Sequence, residues 1–340
     1  MNTKKRMIRN VIIFIMLIIL TFVLIFKNYD FKNTIAIIFK TDIKFIILAI
    51  IAMFLNITFE SLNIKHILKT LGNNVTLRKM ISYTLIGFFF SGVTPASGGG
   101  QPMEVYYMRK DNIPITSTTI ALLLETCSFH IVTILFGLIG LGLNYNLTTN
   151  GFIYIFAVGL TLKFILLLIM LICLFSRRLS NVLVKLFIKL LKKIKYSRID
   201  EATDSINKAL QEYHHSSKYI KEHKGIFINS TIIVTIQVLM YYTVTYFIYR
   251  SFGLDTYSYF KIISLQALLF VSVASIPLPG AVGISETAFL KLYITIFGVA
   301  NLAGATILTR GVNFYLFMLI SLVVVIINMI RKKKEIENKK

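Results

Sequence analysis

The residues best equipped for chemistry in this 340-residue sequence are charges set inside apolar runs. Glu125 lies within "LLLETCSFHIVTILFGLIGL" (122–141), and Arg310 comes about a third of the way along the apolar stretch 303–330. A charge at mid-span costs about 2.5–3.5 kcal/mol on insertion scales, so it ordinarily faces the protein interior and has a partner. Arg310 is therefore read either as a contact for a lipid phosphate or as half of an ion pair with a buried glutamate. Glu104 and Glu286 follow two breaks rich in Gly and Pro, "VTPASGGGQPM" (93–103) and "IPLPGAVGISE" (276–286). A carboxylate in the first turn of a helix complements the helix dipole. At membrane depth it is also a cation site, for an amino headgroup or a coupling ion. Both readings stay open here.

The breaks themselves present backbone. Gly98, Gly99, Gly100 and Gln101 precede a short helix whose first residue is read as Pro102, and Pro279, Gly280 and Gly283 occupy the second break. Free N–H groups at such a helix start suit a phosphate, whereas the plainer alternative is that glycine only permits a tight turn. Thr126, His130, Thr133, Gly137 and Gly140 fall on one helical stripe. That stripe is read as a helix-packing surface, with His130 a proton-relay candidate. Glu60 is read as the solvated end of its span. No nucleophile–base–acid arrangement or metal-ligand spacing occurs, so no catalytic residue, metal or cofactor is expected. Cys127 and Cys173 both lie in apolar runs and read as small core residues.

The elements that must position these residues are membrane helices. The chain is 56% hydrophobic and 15% charged, with mean hydropathy +0.74, whereas a soluble domain carries about 25% charged residues. Six runs are long enough to cross a bilayer: 8–26, 45–63, 116–142, 151–175, 226–250 and 303–330. The first is read as an uncleaved span, because it is long and lacks a small-residue cleavage site. Two further apolar pieces, 80–94 with 102–110 and 258–275 with 284–298, read as hairpins broken by the Gly/Pro loops. Broken helices are tolerated at membrane depth only where protein or a wet cavity surrounds them. The expected fold is thus an all-α polytopic membrane protein with six full spans, two re-entrant helical hairpins and a single membrane domain.

The net charge of +22 is distributed as orientation signals, not as a nucleic-acid surface. The connector 177–224 carries twelve basic and five acidic residues and is expected in the cytoplasm, as are both termini. Residues 179–194 read as a basic amphipathic helix, and 199–222 as a short surface helix. "FKNTIAIIFK" (31–40) reads as an interfacial helix.

An offset of 182 residues carries Pro95 onto Pro277, Gly98 onto Gly280 and Glu104 onto Glu286. The same offset carries 45–63 onto 227–245 and 116–142 onto 298–324. Repeat 1 is thus about 45–142 and repeat 2 about 226–330, each a span, a broken hairpin and a span. The expected orientation opens the hairpins from opposite sides, which makes the repeat one of inverted topology, as in many secondary transporters.

At "TPASGGGQPMEVYYMRK" (94–110), 122–141, "SIPLPGAVGISE" (275–286) and "LTRGVNFYLFMLISL" (308–322), the chain resembles the lysylphosphatidylglycerol synthase/flippase transmembrane family. The resemblance implies a flippase-like handling of a polar or aminoacylated phospholipid and resistance to cationic peptides, in a bacterial-type cell membrane. Members commonly carry a Glu-Arg pair in the span of Glu125, where this chain has Thr126 in place of the Arg. Larger members also carry a soluble aminoacyl-transfer domain. This chain ends ten residues past its last span, so that domain, and with it phosphatidylglycerol lysyltransferase activity, is not expected. The expected partners are a phospholipid substrate and the membrane, with a homo-oligomer and a separate synthase both open. A lysyltransferase component and a non-transporting scaffold are the alternatives.

Overall fold

The computed structural model describes residues 29–94, 97–148, 150–176, 217–274, 276 and 278–337, with isolated positions between 12 and 26 and between 181 and 214. In chain order the helices are α1 (Phe31–Ile38), α2 (Ile43–Thr70), α3 (Leu77–Val93), α4 (Gly100–Lys110), α5 (Ile115–Asn144), α6 (Asn150–Phe175), α7 (Lys224–Ser251), α8 (Tyr259–Val273), α9 (Ile284–Leu292), α10 (Ile294–Arg310) and α11 (Phe317–Glu337). A 3₁₀ turn, Pro279–Ala281, lies between α8 and α9, and a π-helical turn, Gly311–Leu316, joins α10 to α11. Among the described residues there is no strand.

Five stretches are long and apolar enough to cross a membrane: Ile43–Thr70, Ile115–Leu147, Gly151–Leu174, Lys224–Ser251 and Ile294–Arg331. They correspond to five of the six expected spans. The expected span 8–26, the helix 179–194 and most of 199–222 lie outside the described residues, as do Pro95 and Pro277; residues 217–222 are helical. Two boundaries differ from the sequence reading. α2 runs seven residues past position 63, because helical hydrogen bonding continues through Lys65 and Lys69 after the apolar window ends. The last span is entered through a kink at Gly298 (φ 71°, ψ 159°), where the expected piece 284–298 ends, so its helix runs from just after Gly298, a few residues before 303. α9 stops at Leu292, where the buried Tyr293 donates its hydroxyl to the Ile262 carbonyl (3.2 Å) and to Gln266 Oε1 (3.1 Å), and the chain restarts at once.

α2 and α7 form the centre. They pack antiparallel: Asn56 Nδ2 donates to the Gln237 carbonyl (3.0 Å), and Asn63 Nδ2 to Ser230 Oγ (3.0 Å). Ser230 also meets Ser128 Oγ of α5 at 3.0 Å, so one buried polar node ties three helices. α5 lies on α8 through glycine. A Cβ on Gly140 would come within 2.4 Å of the Ser264 carbonyl oxygen, and one on Gly137 within 2.5 Å of Val271. The expected packing role of that stripe is what the contacts show. α3 and α4 fold back on each other, with Tyr83 bonded to Asp111 and Gly87 against Glu104. α8 and α9 do the same, through Tyr293 and Gln266. α1 is a short helix as expected; the Asp30 side chain caps it by accepting from the Asn33 N–H (2.7 Å), and it packs on α10.

Hydroxyls within the helices bond back to the carbonyl four residues earlier, as at Ser61, Thr133, Thr243 and Thr306. This satisfies polar groups that hydrocarbon cannot. The outward face of α6 is a band of exposed apolar side chains, including Val158, Phe164, Ile165 and Ile169. Such a face suits lipid contact. This is a multi-pass membrane protein.

Gly140→Val should lower stability by about 1–3 kcal/mol, because overpacking forces α5 from α8. Gly142→Ala, where a Cβ meets open space, should not lower it. Thermal melting in detergent compares the two, and equal melting of both variants would contradict the α5–α8 contact.

Candidate functional site

The two breaks are built differently. In the second, Gly280 (φ 58°) and Gly283 (φ 89°) adopt left-handed backbone that side chains disfavour. A Cβ on Gly280 would also meet the Phe314 ring at 2.3 Å. Glu286, fully buried, lies in the first turn of α9 and accepts from the Gly283 N–H (2.6 Å). Arg310, at the end of α10, donates from Nε to Glu286 Oε1 (2.7 Å) and from an Nη to the Gly280 carbonyl (3.0 Å). Its guanidinium lies 4.5 Å from the Phe314 ring centroid. One arginine thus joins the loop, the helix start and the last span. Of the two sequence readings of Arg310, the ion pair with a buried glutamate is what the geometry shows. The π-helical turn follows directly, and such turns often sit at functional positions.

A small cavity of about 30 Å³ adjoins Arg310, lined by Tyr241, Gln266, Ser285, Phe289 and Asn313 among others. It is water-sized. Asn313 Oδ1 and Thr309 Oγ1 are buried there without a hydrogen-bond partner.

In the first break, α4 begins at Gly100, two residues before the expected Pro102. The early start follows from close approach: a Cβ on Gly100 would lie 2.0 Å from Ser91 Oγ and 2.8 Å from the Gly87 carbonyl oxygen. Gly98 is exposed, and the Gly99 N–H is taken by Thr94 Oγ1 (2.9 Å). The Gln101 amide donates to Thr126 Oγ1. With α4 starting at Gly100, Glu104 is no longer in its first turn, and the dipole explanation for it fails. It is 5% exposed, and its Oε2 has no hydrogen-bond partner.

Glu125, 7% exposed on α5, accepts from Thr126 Oγ1 (3.2 Å). Glu60 is not a solvated helix end. It lies mid-way along the longer α2, where Gln237 Nε2 donates to its Oε2 (3.5 Å). The structure therefore joins Glu286, Gly280, Gly283 and Arg310 in the second half, while Glu60 bonds to Gln237, Glu125 to Thr126, and Glu104 packs against Gly87. The halves touch where the Pro279–Ala281 turn packs on α3 and the Phe88 and Phe314 rings approach to 6.4 Å.

One buried charge escaped the sequence reading. Lys163 of α6 is 2% exposed, with Nζ 4.9 Å from the Phe270 ring centroid, 5.5 Å from that of Phe129 and 3.5 Å from Thr133 Oγ1. Its signal was present: it is the lone charge in the apolar run 151–175. Cys127 and Cys173 are free thiols, and among the described residues no cluster of three His, Cys, Asp or Glu side chains could hold a metal ion.

Residues 8–321 match the family model described as the lysylphosphatidylglycerol synthase TM region. The chain is 25% identical over 317 residues to a UPF0104 membrane protein of Pyrococcus horikoshii, covering 87% of this chain and 91% of that protein. It is 24% identical to a UPF0104 membrane protein of Methanocaldococcus jannaschii, covering 96% of both.

Arg310→Gln should destabilise the protein by about 3–5 kcal/mol, since it removes the cation bonded to the buried Glu286. The double variant Arg310→Gln/Glu286→Gln should recover part of that loss. Additive losses in denaturant unfolding would show that the two side chains do not act as a pair.

Proposed function

Because the chain belongs to the lysylphosphatidylglycerol synthase TM-region family, we propose that it is a flippase-like transporter. Its cargo is a polar or aminoacylated phospholipid such as lysylphosphatidylglycerol, with consequences for lipid metabolism and cationic-peptide resistance. The observation that carries the reading is the meeting of two helical hairpins, each broken by a Gly/Pro loop and each carrying a buried glutamate. In this reading the chain has six spans, two re-entrant hairpins and cytoplasmic termini.

The inverted repeat has support from α2 and α7. Asn56 faces Gln237, and the 182-residue offset carries Asn56 onto Val238. Each of these helices therefore meets its counterpart close to the corresponding position, as a two-fold axis in the membrane plane requires.

The headgroup would enter between the hairpins. Its phosphate would be held by the backbone of Gly98, Gly99, Gly100 and Gln101, by that of Pro279, Gly280 and Gly283, and by Arg310. Arg310 can exchange the Gly280 carbonyl for a phosphate oxygen while its Nε stays on Glu286. Glu104 and Glu125 would face any amino group. The cavity beside Arg310, about 30 Å³, has room for a water but not for a headgroup. Passage therefore needs the Pro279–Ala281 turn of the second half to part from α3 of the first, which is the rocking of one half against the other.

Proteoliposomes carrying a fluorescent aminoacylated phosphatidylglycerol should show protein-dependent movement between leaflets by dithionite quenching. Stiffening the first loop with Gly98→Ala/Gly99→Ala should slow it about tenfold, equivalent to ~1.4 kcal/mol of added barrier. Movement equal to that in protein-free vesicles ends this reading.

A further inference from the structure

Two polar side chains beside Arg310 are buried with nothing to bond. Thr309, in the last turn of α10, is 1% exposed, and Asn313, in the π-helical turn, is 5% exposed. Both line the cavity of about 30 Å³ next to Arg310, and neither Thr309 Oγ1 nor Asn313 Oδ1 has a hydrogen-bond partner. The neighbouring Thr306 hydroxyl, by contrast, bonds back to the Leu302 carbonyl (2.8 Å). Unbonded polar groups are costly in an interior, so two of them around one cavity call for a ligand.

The fold does not demand polarity at these positions. The 182-residue offset carries Cys127 onto Thr309 and Ile131 onto Asn313. In the first half those two residues pack with Leu167 in an apolar cluster. The polar pair is a feature of the second half alone.

The lining selects the chemistry. The Arg310 guanidinium only donates, Asn313 Oδ1 only accepts, and the Thr309 hydroxyl does either. An atom seated among them must therefore accept and donate at once. An ammonium only donates, and it would meet the like charge of Arg310. The nearby Glu286 does not draw it, because that carboxylate is committed to Arg310 and the Gly283 N–H. A phosphate or carboxylate oxygen only accepts, and it would face Asn313 Oδ1. An uncharged hydroxyl does both, and the cavity has room for one oxygen.

We propose that Thr309, Asn313 and Arg310 form a hydroxyl-binding subsite, which takes a hydroxyl of the lipid headgroup whose phosphate Arg310 holds. The subsite deepens the transporter reading and rests on it for the phosphate at Arg310. Thr309 and Asn313 are then specificity-determining residues. They favour a hydroxylated headgroup over one of equal charge that has no hydroxyl.

The test compares phosphatidylglycerol with phosphatidylpropanol, which has the same phosphodiester charge and a similar headgroup size but no hydroxyl. Each lipid, with matched acyl chains, is titrated into the purified full chain in detergent, and the rise in melting temperature reports binding. Phosphatidylglycerol should bind about tenfold more tightly, roughly the contribution of one hydrogen bond. Asn313→Leu and Thr309→Val should each cut that preference at least about threefold and leave the affinity for phosphatidylpropanol within about twofold. A merely structural role would shift both lipids together. If Asn313→Leu does not fold, the nearly isosteric Thr309→Val makes the comparison, and the wild-type preference is read in either case. The proposal is overturned if the wild type binds the two lipids equally, which would mean that the cavity takes water only, or binds neither. It is also overturned if the preference survives undiminished in the folded variants. Binding is read without transport, so a lipid preference without leaflet movement would end the transporter reading and leave the subsite standing.

Discussion

A helix broken inside an apolar bundle exposes N–H and C=O groups where no water can take them, and this constraint governs both hairpins. The first break closes with side chains of its own helix. Thr94 Oγ1 donates to the Phe90 carbonyl (2.6 Å) and accepts from the Gly99 N–H. The second closes with charge. Glu286 takes the Gly283 N–H, and Arg310, from another helix, takes the Gly280 carbonyl and the remaining charge of Glu286. The break in the second half is thereby bonded to the last span, and the 3₁₀ turn is held against α3.

The difference between the two solutions organises the site. A break closed by a hydroxyl leaves nearby carboxylates to neutral partners: Glu60 accepts from Gln237 (3.5 Å), Glu125 from Thr126 (3.2 Å), and Glu104 Oε2 is buried without one. A break closed by Arg310 is locally neutral. The α2–α7 pair, with its Asn56–Gln237 and Asn63–Ser230 bonds, is the frame that holds the two halves together.

Much of this was legible in the residues. Apolar run lengths mark five of the described spans, and the two Gly/Pro interruptions mark both hairpins. Arg310 announced itself by the cost of its burial. The glycine stripe on α5 announced a helix contact. Lys163 was legible by the same rule as Arg310. Glu60 was misread because an apolar window ends near it, while the helix does not. Glu104 was misread by its place relative to Pro102, since the start of α4 is decided by how closely Gly100 can approach Gly87 and Ser91.

The sequence by itself determined which segments cross and where they break, because hydropathy and glycine or proline chemistry act over neighbouring residues. It also singled out most of the buried charges. Only the tertiary structure decided how those charges combine. Arg310 had several glutamates open to it, and its partner was set by the turn of α9 and the end of α10 meeting across 24 residues of chain. Glu60 and Gln237, 177 residues apart, meet because α2 and α7 lie antiparallel. Charge pairing depends on distance through space, which no local pattern encodes.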